Sequence, residues 1–421
     1  MAGKALRSCA VDHEGGRRPG GVGPCSACFG FPDRLPVAQF RIGVVMLILS
    51  LRRVAGSCVR GIVGPVSGLA GKLLVFCAVV PCLLCLAVPG WTMGAGESDG
   101  GRVGLHILNA WEENSGSRIA IYVWYPTIRP ERPVFLEPYT LSAAREGMPE
   151  EGKFPVILLS HAAAESGLSH HDTAEFLARR GFVVIAPTHP GDNYLDTSRI
   201  YTEHQVTDRP YHMQQALDVV AAHPELGPIA DMSSIGVIGY GAGAAGAMLL
   251  AGAVPDPAGL RTYCTRAGMD DPYCSEWSHA RLARFMEKTP QQLLPVEGRA
   301  WQDPRVRCLA LLAPGYGMLF TAQGVASMQV PVVMIEAEQD AMNMPDLHAR
   351  YLRTLLPEST SYFILSDATS FTLHSVCSER MQANYPAICR DSGSADREAV
   401  HKAVNDILLR FFGNKLQGKA L

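Results

Sequence analysis

The segment from 234 to 247 has the pattern of a catalytic turn but lacks the residue that would do the chemistry. The apolar run from 235 to 238 predicts a buried strand, and a helical run of small residues follows Gly239, Gly241 and Gly243. A strand, a sharp turn and a helix form the setting in which the motif G-x-S-x-G presents a serine nucleophile. Position 241 is glycine here, so the sequence keeps the turn and loses the hydroxyl.

Other polar residues follow predicted strands and should lie near this turn. Apolar runs alternate with helical periods along the chain, which predicts a parallel sheet with helices on both faces. In such folds the functional site lies at the carboxyl ends of the strands. His161, His189 and Asp340 each follow an apolar run, as does the loop after Leu365. We therefore expect these residues at the same edge of the sheet as Gly241.

The predicted fold class is α/β, with a mostly parallel, doubly wound sheet in a domain that spans 98–415. The polar segment 254–304 interrupts the alternation of strands and helices and predicts an inserted cap over one end of the sheet. Residues 126–153 are rich in Pro and Glu and predict a long surface connection.

Composition excludes some classes of function. Net charge is −3, and no long basic block or basic–aromatic pattern occurs in the globular part, so we expect no nucleic-acid binding. No cofactor is predicted. The sequence does not define the oligomeric state.

The N-terminal residues suggest export. Residues 1–71 are rich in Gly, Arg, Pro and Cys and are either a disordered extension or sequence upstream of the true start. In 72–97, a lysine precedes the apolar run 73–89, and small residues follow, which is typical of a secretory signal. An uncleaved membrane anchor through 73–89 is the competing interpretation. Both place the domain in the periplasm or outside the cell.

Five cysteines follow this signal. Cys264 with Cys274, and Cys377 with Cys389, are short-spaced pairs in polar sequence, and we predict two disulfides. A zinc site is the alternative for these pairs, although no C-x-x-C spacing occurs among them. Cys308 lies in a strand-like run and is predicted to be a buried free thiol.

Several segments occur in a characteristic order and spacing over roughly residues 100–413: Val123–Pro126, Leu158–His161, Ala186–Gly191, Asp231–Gly243, Asp303–Arg307, Val330–Asp340, Asp367–Phe371 and Cys377–Cys389. In these segments the chain resembles the α/β-hydrolase superfamily. Within it, the chain resembles the predicted dienelactone hydrolases, which are similar to platelet-activating-factor acetylhydrolases.

The resemblance implies three catalytic positions, of which two are substituted. The nucleophile position is Gly241 and the acid is Asp340. The base belongs in a pattern like D-A-T-H-F, and because 367–371 reads Asp-Ala-Thr-Ser-Phe, Ser370 stands where histidine is expected. Glycine cannot attack, and Ser370 cannot accept a proton near neutral pH, so Asp340 has no imidazole to orient.

The oxyanion turn also departs from the family pattern. Relatives have a glycine-rich turn after the histidine that matches His161, whereas here the turn contains Ala162 and Ala163, with Ala242 as the second part of the oxyanion hole. Alanine restricts a backbone that glycine would leave free. Glycine at 241, in contrast, relieves a strain of about 1–3 kcal/mol that an elbow imposes on other residues.

The sequence therefore predicts an exported pseudoenzyme of this family. Its pocket would bind a small ester-like or lipid-like ligand, or the domain would bind a protein partner. The alternative is an active carboxylic-ester hydrolase with a relocated base or nucleophile. His374 is the candidate for an alternative base, and the histidines and aspartates around 161–192 are the candidate for a metal site.

Overall fold

A computed structural model describes residues 100–112, 115–293, 300–391 and 395–419. The predicted leader and the signal or anchor segment, residues 1–97, lie outside the described residues. The described residues form the mixed α/β fold that the sequence predicts, around one large sheet of ten strands.

The strands lie in the order β10-β9-β8-β7-β5-β6-β2-β1-β4-β3. The six strands from β5 to β10 run parallel, while β2 is antiparallel to both β1 and β6. The strands are β1 (Arg102–Trp111), β2 (Arg118–Thr127), β3 (Arg132–Leu136), β4 (Tyr139–Arg145), β5 (Phe154–Ser160), β6 (Val183–Pro187), β7 (Ala230–Tyr240), β8 (Val306–Leu312), β9 (Val332–Ala337) and β10 (Ser361–Leu365).

The prediction of a surface connection over 126–153 was wrong, because β3 and β4 form an antiparallel hairpin there. Tyr139, Leu141 and Ala143 alternate as buried residues along β4, which also pairs in parallel with β1. The Pro- and Glu-rich composition of the segment obscures this alternation.

Helices cover both faces of the sheet. Side chains alternate between two cores, so that Val156 and Leu158 of β5 belong to one and Ile157 and Leu159 to the other. The helices are α1 (His171–Ala178), α2 (Glu203–Thr207), α3 (Arg209–Ala222), α4 (Leu226–Ile229), α5 (Ala242–Leu250), α6 (Ala258–Ala267), α7 (Glu276–Met286), α8 (Pro290–Leu293), α9 (Ala322–Val325), α10 (Ala349–Leu355), α11 (Glu379–Asn384), α12 (Pro386–Cys389) and α13 (Arg397–Leu416).

The interruption predicted at 254–304 is helical. Helices α6, α7 and α8 lie between α5 and β8, and the disulfide Cys264–Cys274 joins α6 to the segment before α7. A second disulfide joins Cys377 to Cys389, and Cys308 is a buried free cysteine. Disulfides are typical of an oxidising, extracellular environment. Among the described helices, none combines the length and hydropathy that a membrane span requires.

Candidate functional site

The elbow is built by β7 and α5, with Gly241 at the sharp turn between them. Its backbone has φ 49° and ψ −118°, a conformation that favours glycine. The flanking glycines permit close packing, because a Cβ at Gly243 would lie 2.1 Å from the carbonyl oxygen of Ser160 and one at Gly239 would lie 2.5 Å from the Cα of Ala244. The turn of a nucleophile elbow is therefore retained around a residue that has no side chain.

The predicted acid and base positions lie side by side. Asp340 follows β9, and Ser370 begins a 3-10 turn that follows β10. The Ser370 hydroxyl donates a hydrogen bond to Oδ1 of Asp340 over 3.0 Å. Asp340 is only 4% exposed, and burial raises its pKa despite the hydrogen bonds that it accepts. The pair has the position of a carboxylate and its base, but the serine supplies no basic nitrogen.

Asn343 lies between the acid and the elbow, and the sequence analysis did not identify it. Its Nδ2 donates to Oδ2 of Asp340 over 3.2 Å, and the same nitrogen would lie 3.9 Å from a Cβ at Gly241. Tyr273, beside the cap disulfide, donates to Oδ1 of Asn343 over 2.7 Å. The spacing of Asn343, three residues after Asp340, is the signal that could have suggested a polar turn here. Together these contacts bring Gly241, Asp340 and Ser370 to one place and link them to the cap.

A buried carboxylate occupies part of the oxyanion turn. The N–H of Ala162 donates to Oε2 of Glu165 over 3.1 Å, and the same oxygen lies 2.9 Å from Nε2 of His170. Burial alone would raise the pKa of Glu165, but His170 beside it lowers that pKa to about 2. The other nitrogen of His170 faces the carbonyl oxygen of Leu373 at 2.9 Å, so both ring nitrogens lie against oxygen atoms. The Glu165 carboxylate, paired with His170, therefore accepts the hydrogen bond of the Ala162 N–H.

Of the other N–H groups in the oxyanion turn, one has a hydrogen-bond partner among the residues that the structure describes and two do not. Ala164 has φ 60°, and its N–H donates to Oδ1 of Asp192 over 3.1 Å. For Ala163 and Ala242, the structure gives their N–H groups no hydrogen-bond partner within the described residues. The turn keeps these two donors although its glycines are replaced.

His374 is engaged away from the acid. Its Nε2 lies 2.9 Å from the hydroxyl of Tyr139, and its Nδ1 faces the carbonyl oxygen of Ser375 at 3.3 Å. Burial lowers the pKa of His374 to about 4. Both ring nitrogens thus have partners other than Asp340, so this arrangement does not place His374 as a base for the elbow.

A second ion pair fixes the loop that carries Ser370. His401 of α13 lies 2.5 Å from Asp172 through Nδ1 and 3.0 Å from the carbonyl oxygen of Thr372 through Nε2. Burial lowers the pKa of His401, whereas the neighbouring Asp172 raises it. The net shift of this pKa is upward. The hydroxyl of Ser375 donates to the same carboxylate over 2.7 Å. The loop is therefore held from both sides in the shape that brings Ser370 to Asp340.

Behind the elbow, a chain of hydrogen bonds resembles a serine relay but is closed to substrate. Arg209 donates to Oγ of Ser160 over 3.0 Å, and Nε2 of His189 lies 2.9 Å from the same oxygen. His189 Nδ1 lies 3.2 Å from Nδ1 of His212, and Nε2 of His212 lies 3.0 Å from Oε1 of Glu112. Ser160 is completely buried. The chain satisfies buried polar groups between β5, β6 and α3.

The histidines of the candidate metal cluster also form hydrogen bonds with polar groups of the protein. His161 accepts from the N–H of His189 through Nε2 over 3.1 Å, and its Nδ1 lies 2.7 Å from the carbonyl oxygen of Ala162. Within the described ranges, no group of three or more His, Cys, Asp or Glu side chains is arranged to hold a metal ion.

Comparison with known proteins supports the fold. No family model and no curated protein sequence matches the chain. A solved structure that is similar is a ferulic acid esterase from Streptomyces cinnamoneus, with a TM-score of 0.51 and 15% sequence identity over 78% of this chain and 94% of the esterase. The two proteins share a mixed α/β fold. At this identity the likeness concerns the scaffold and not the chemistry.

Proposed function

We propose that this protein is a member of the dienelactone hydrolase-like family that has lost ester hydrolysis and uses the site at Gly241 to bind a small ester-like or lipid-like molecule. The observation that carries the proposal is the convergence of Gly241, Asn343, Asp340 and Ser370. The nucleophile position has no side chain, the base position is a hydroxyl bonded to the acid, and an amide fills the space beside them. Removal of triad members in serine hydrolases lowers the rate by several orders of magnitude.

The surroundings of the elbow support an apolar ligand. Met342, two residues after Asp340, is 40% exposed, and Phe371, next to Ser370, is 37% exposed. Leu195 is also exposed, in a segment whose neighbour Tyr194 donates its N–H to the carbonyl oxygen of Glu165. Met342, Phe371 and Leu195 thus leave apolar surface exposed in three loops that also carry Asp340, Ser370 or a hydrogen bond to Glu165, and exposed apolar surface can mark a binding site.

A carbonyl group on that ligand has two candidate donors. The N–H groups of Ala163 and Ala242 have no partner within the part of the chain that the structure describes. Such donors stabilise a carbonyl oxygen without a nucleophile. The proposed role is therefore recognition of the ester group without attack on it.

The proposal includes export. The two disulfides favour an oxidising compartment, in line with the signal or anchor interpretation of residues 72–97. The compartment is the periplasm or the exterior of the cell.

The competing proposal is a hydrolase with a relocated base or nucleophile. His374, the alternative base that the sequence suggests, lies against Tyr139, and Ser160, a buried serine beside the elbow, accepts a hydrogen bond from Arg209. Because neither has free access to an ester at Gly241, we favour the non-hydrolytic function.

The test combines turnover, labelling and binding on the purified protein. We expect no hydrolysis of p-nitrophenyl butyrate and no covalent labelling by a fluorophosphonate, while an active serine esterase treated in parallel shows both. Binding of the intact ester is measured by the perturbation of its resonances in ligand-observed NMR. We expect that Ala163→Pro, which removes one donor, weakens this binding.

Two outcomes would contradict the proposal. Labelling at any serine would show that a nucleophile has been relocated, and substitution of the labelled residue together with His374→Ala would identify the base. Absence of both labelling and ester binding would favour a protein partner instead of a small ligand.

A further inference from the structure

A concave site lies at the opposite end of β9 from Asp340. A groove of about 970 Å³ opens where β9 and β10 begin, whereas Asp340 follows the end of β9. Its floor and walls include Val333 of β9, Phe363 of β10 and Phe411 of α13. Binding pockets for small molecules have volumes of roughly 300–1,000 Å³ and mostly apolar walls. The groove therefore has the size of a ligand site, and its walls are polar and apolar in nearly equal parts.

Helix α13 supplies one continuous face to this groove. Ile407, Arg410, Phe411, Asn414 and Lys415 line it, with the spacing of three and four residues that places side chains on the same side of a helix. The face combines two aliphatic or aromatic groups with two cations. This arrangement joins an apolar wall to a positively charged end.

The charge of the groove is one-sided. Its lining contains Arg410 and Lys415 and no aspartate or glutamate. Neither cation forms an ion pair with any residue in the ranges that the structure describes. A groove with cations and no carboxylate is complementary to an anion.

An ordinary helix end does not account for all of these features. Lys415 lies in the last turn of α13, where a cation interacts favourably with the helix dipole. Arg410 lies more than a turn earlier, outside the range of that effect. Phe363 lies on an edge strand and is 40% exposed. If the groove had no ligand, we would expect this position to be covered or to carry a polar residue.

We propose that this groove binds a single-chain amphiphilic anion, such as a fatty carboxylate or an alkyl phosphate. The anionic head lies between Arg410 and Lys415, and the chain lies against Phe363, Phe411 and Val333. The two head groups share the same chemistry, which is a compact anion on one unbranched apolar chain. The site is separate from the elbow and does not depend on whether the elbow binds an ester.

The experiment is isothermal titration of the purified protein with dodecanoate, tetradecanoate, dodecyl phosphate and dodecanol below their aggregation concentrations. We expect both carboxylates to bind, with affinity rising about fourfold for each additional methylene that is buried. Dodecanol should bind at least tenfold more weakly than dodecanoate, because it cannot pair with the cations. Comparison of dodecanoate with dodecyl phosphate distinguishes the two sources of the anion.

Variants locate the site. Arg410→Gln should weaken dodecanoate binding roughly tenfold and leave dodecanol unchanged. Ser361→Trp fills the groove from an exposed position on β10 and should abolish binding of both. Lys402→Gln is the matched control, since it removes the same charge from α13 outside the groove and should have no effect.

Four outcomes would overturn the proposal. These are no binding of either carboxylate, equal binding of dodecanol, binding that both Arg410→Gln and Ser361→Trp leave unchanged, and binding only to vesicles of anionic phospholipid. Circular dichroism of each variant checks that a loss of binding does not reflect a loss of fold.

Discussion

Ser370 donates a hydrogen bond to Asp340 over 3.0 Å, at the place where a working triad has an imidazole N–H against the carboxylate. The carboxylate also accepts from the N–H groups of Met342 and Asn343, at 2.9 and 3.1 Å, and from the amide of Asn343 at 3.2 Å. Four donors therefore satisfy Asp340 without a histidine. These hydrogen bonds compensate for the burial of the Asp340 carboxylate without a histidine partner.

This relationship predicts what restoring the triad requires. Gly241→Ser alone should stay inert, because no base accepts its proton. Gly241→Ser with Ser370→His should gain only weak esterase activity, since the new Cβ would lie 3.0 Å from the Cβ of Ala162. Adding Ala162→Gly relieves that contact and should increase the rate further. Hydrolysis of p-nitrophenyl butyrate and fluorophosphonate labelling measure the series.

The matched control carries Gly241→Ala with Ser370→His and Ala162→Gly, which provides the base and the space without the hydroxyl. It should show neither labelling nor turnover. Robust activity of Gly241→Ser alone would mean that another base reaches the elbow, and the assignment of Ser370 to the base position would then be incorrect.

Gly241 should also be important for stability. Gly241→Ala should lower the free energy of unfolding by about 1–3 kcal/mol for its positive φ alone, and more because of the 3.0 Å contact with Ala162. Gly268→Ala is the control, because Gly268 has φ 81° with nothing within 4 Å of an added Cβ. Urea unfolding compares the two. Equal losses would show that the packing at the elbow adds nothing to the backbone strain.

Local sequence predicted most of the scaffold, whereas the assignment of the triad positions depends on the resemblance to the α/β-hydrolase superfamily. The apolar strands, the glycines around Gly241 and the placement of Asp340 and Ser370 at strand ends follow from pattern and order along the chain. The fold is as predicted, and the structure brings these three residues together.

Contacts between distant residues were not accessible in the same way. Asn343 and Tyr273 are 70 residues apart, and nothing in either segment indicates that their side chains meet beside Gly241. Glu165 lies in an alanine-rich turn, where the sequence gives no sign of its role. That role depends on His170, whose other ring nitrogen faces a carbonyl oxygen 203 residues away. The hairpin of β3 and β4 was not predicted, because the Pro- and Glu-rich composition of the segment obscured the alternation of buried residues along β4.

The pair Glu165–His170 should be a strong stabilising element. Both groups are largely buried, and replacing one of them leaves the other without its partner, so Glu165→Gln or His170→Gln should cost about 3–5 kcal/mol. A double-mutant cycle in urea should give a coupling energy of about 1–3 kcal/mol. The exposed pair Lys402–Asp406 on α13 provides the comparison, with a coupling of about 0.5 kcal/mol or less. Similar values for both cycles would contradict a special role for the buried pair.

Buried neutral histidines should make the protein sensitive to acid. Burial lowers the pKa of His161 and His348 to about 3, and that of His374 to about 4, from an ordinary value of 6.5. The unfolded chain therefore binds more protons than the native state as the pH falls below about 6.5, and stability decreases with acidification. Each group should contribute roughly 2 kcal/mol between about pH 6.5 and pH 5. His401, whose pKa is raised, opposes this trend by stabilising the native state below about pH 6.5 and losing that effect as the pH rises through its folded pKa.

Variants of two histidines separate this effect from general acid denaturation. His348 accepts from the N–H of Gly317 and faces the hydroxyl of Tyr263, and a glutamine can make both bonds. His348→Gln should therefore reduce the slope of unfolding free energy against pH, whereas His279→Gln, at an exposed position, should leave the slope unchanged. Glu165 does not affect the slope in this pH range. Its pKa is about 2, compared with an ordinary value of 4.5, so the stability that it contributes is lost only at lower pH. An unchanged slope in His348→Gln would mean that His348 is not the neutral buried group that its contacts indicate.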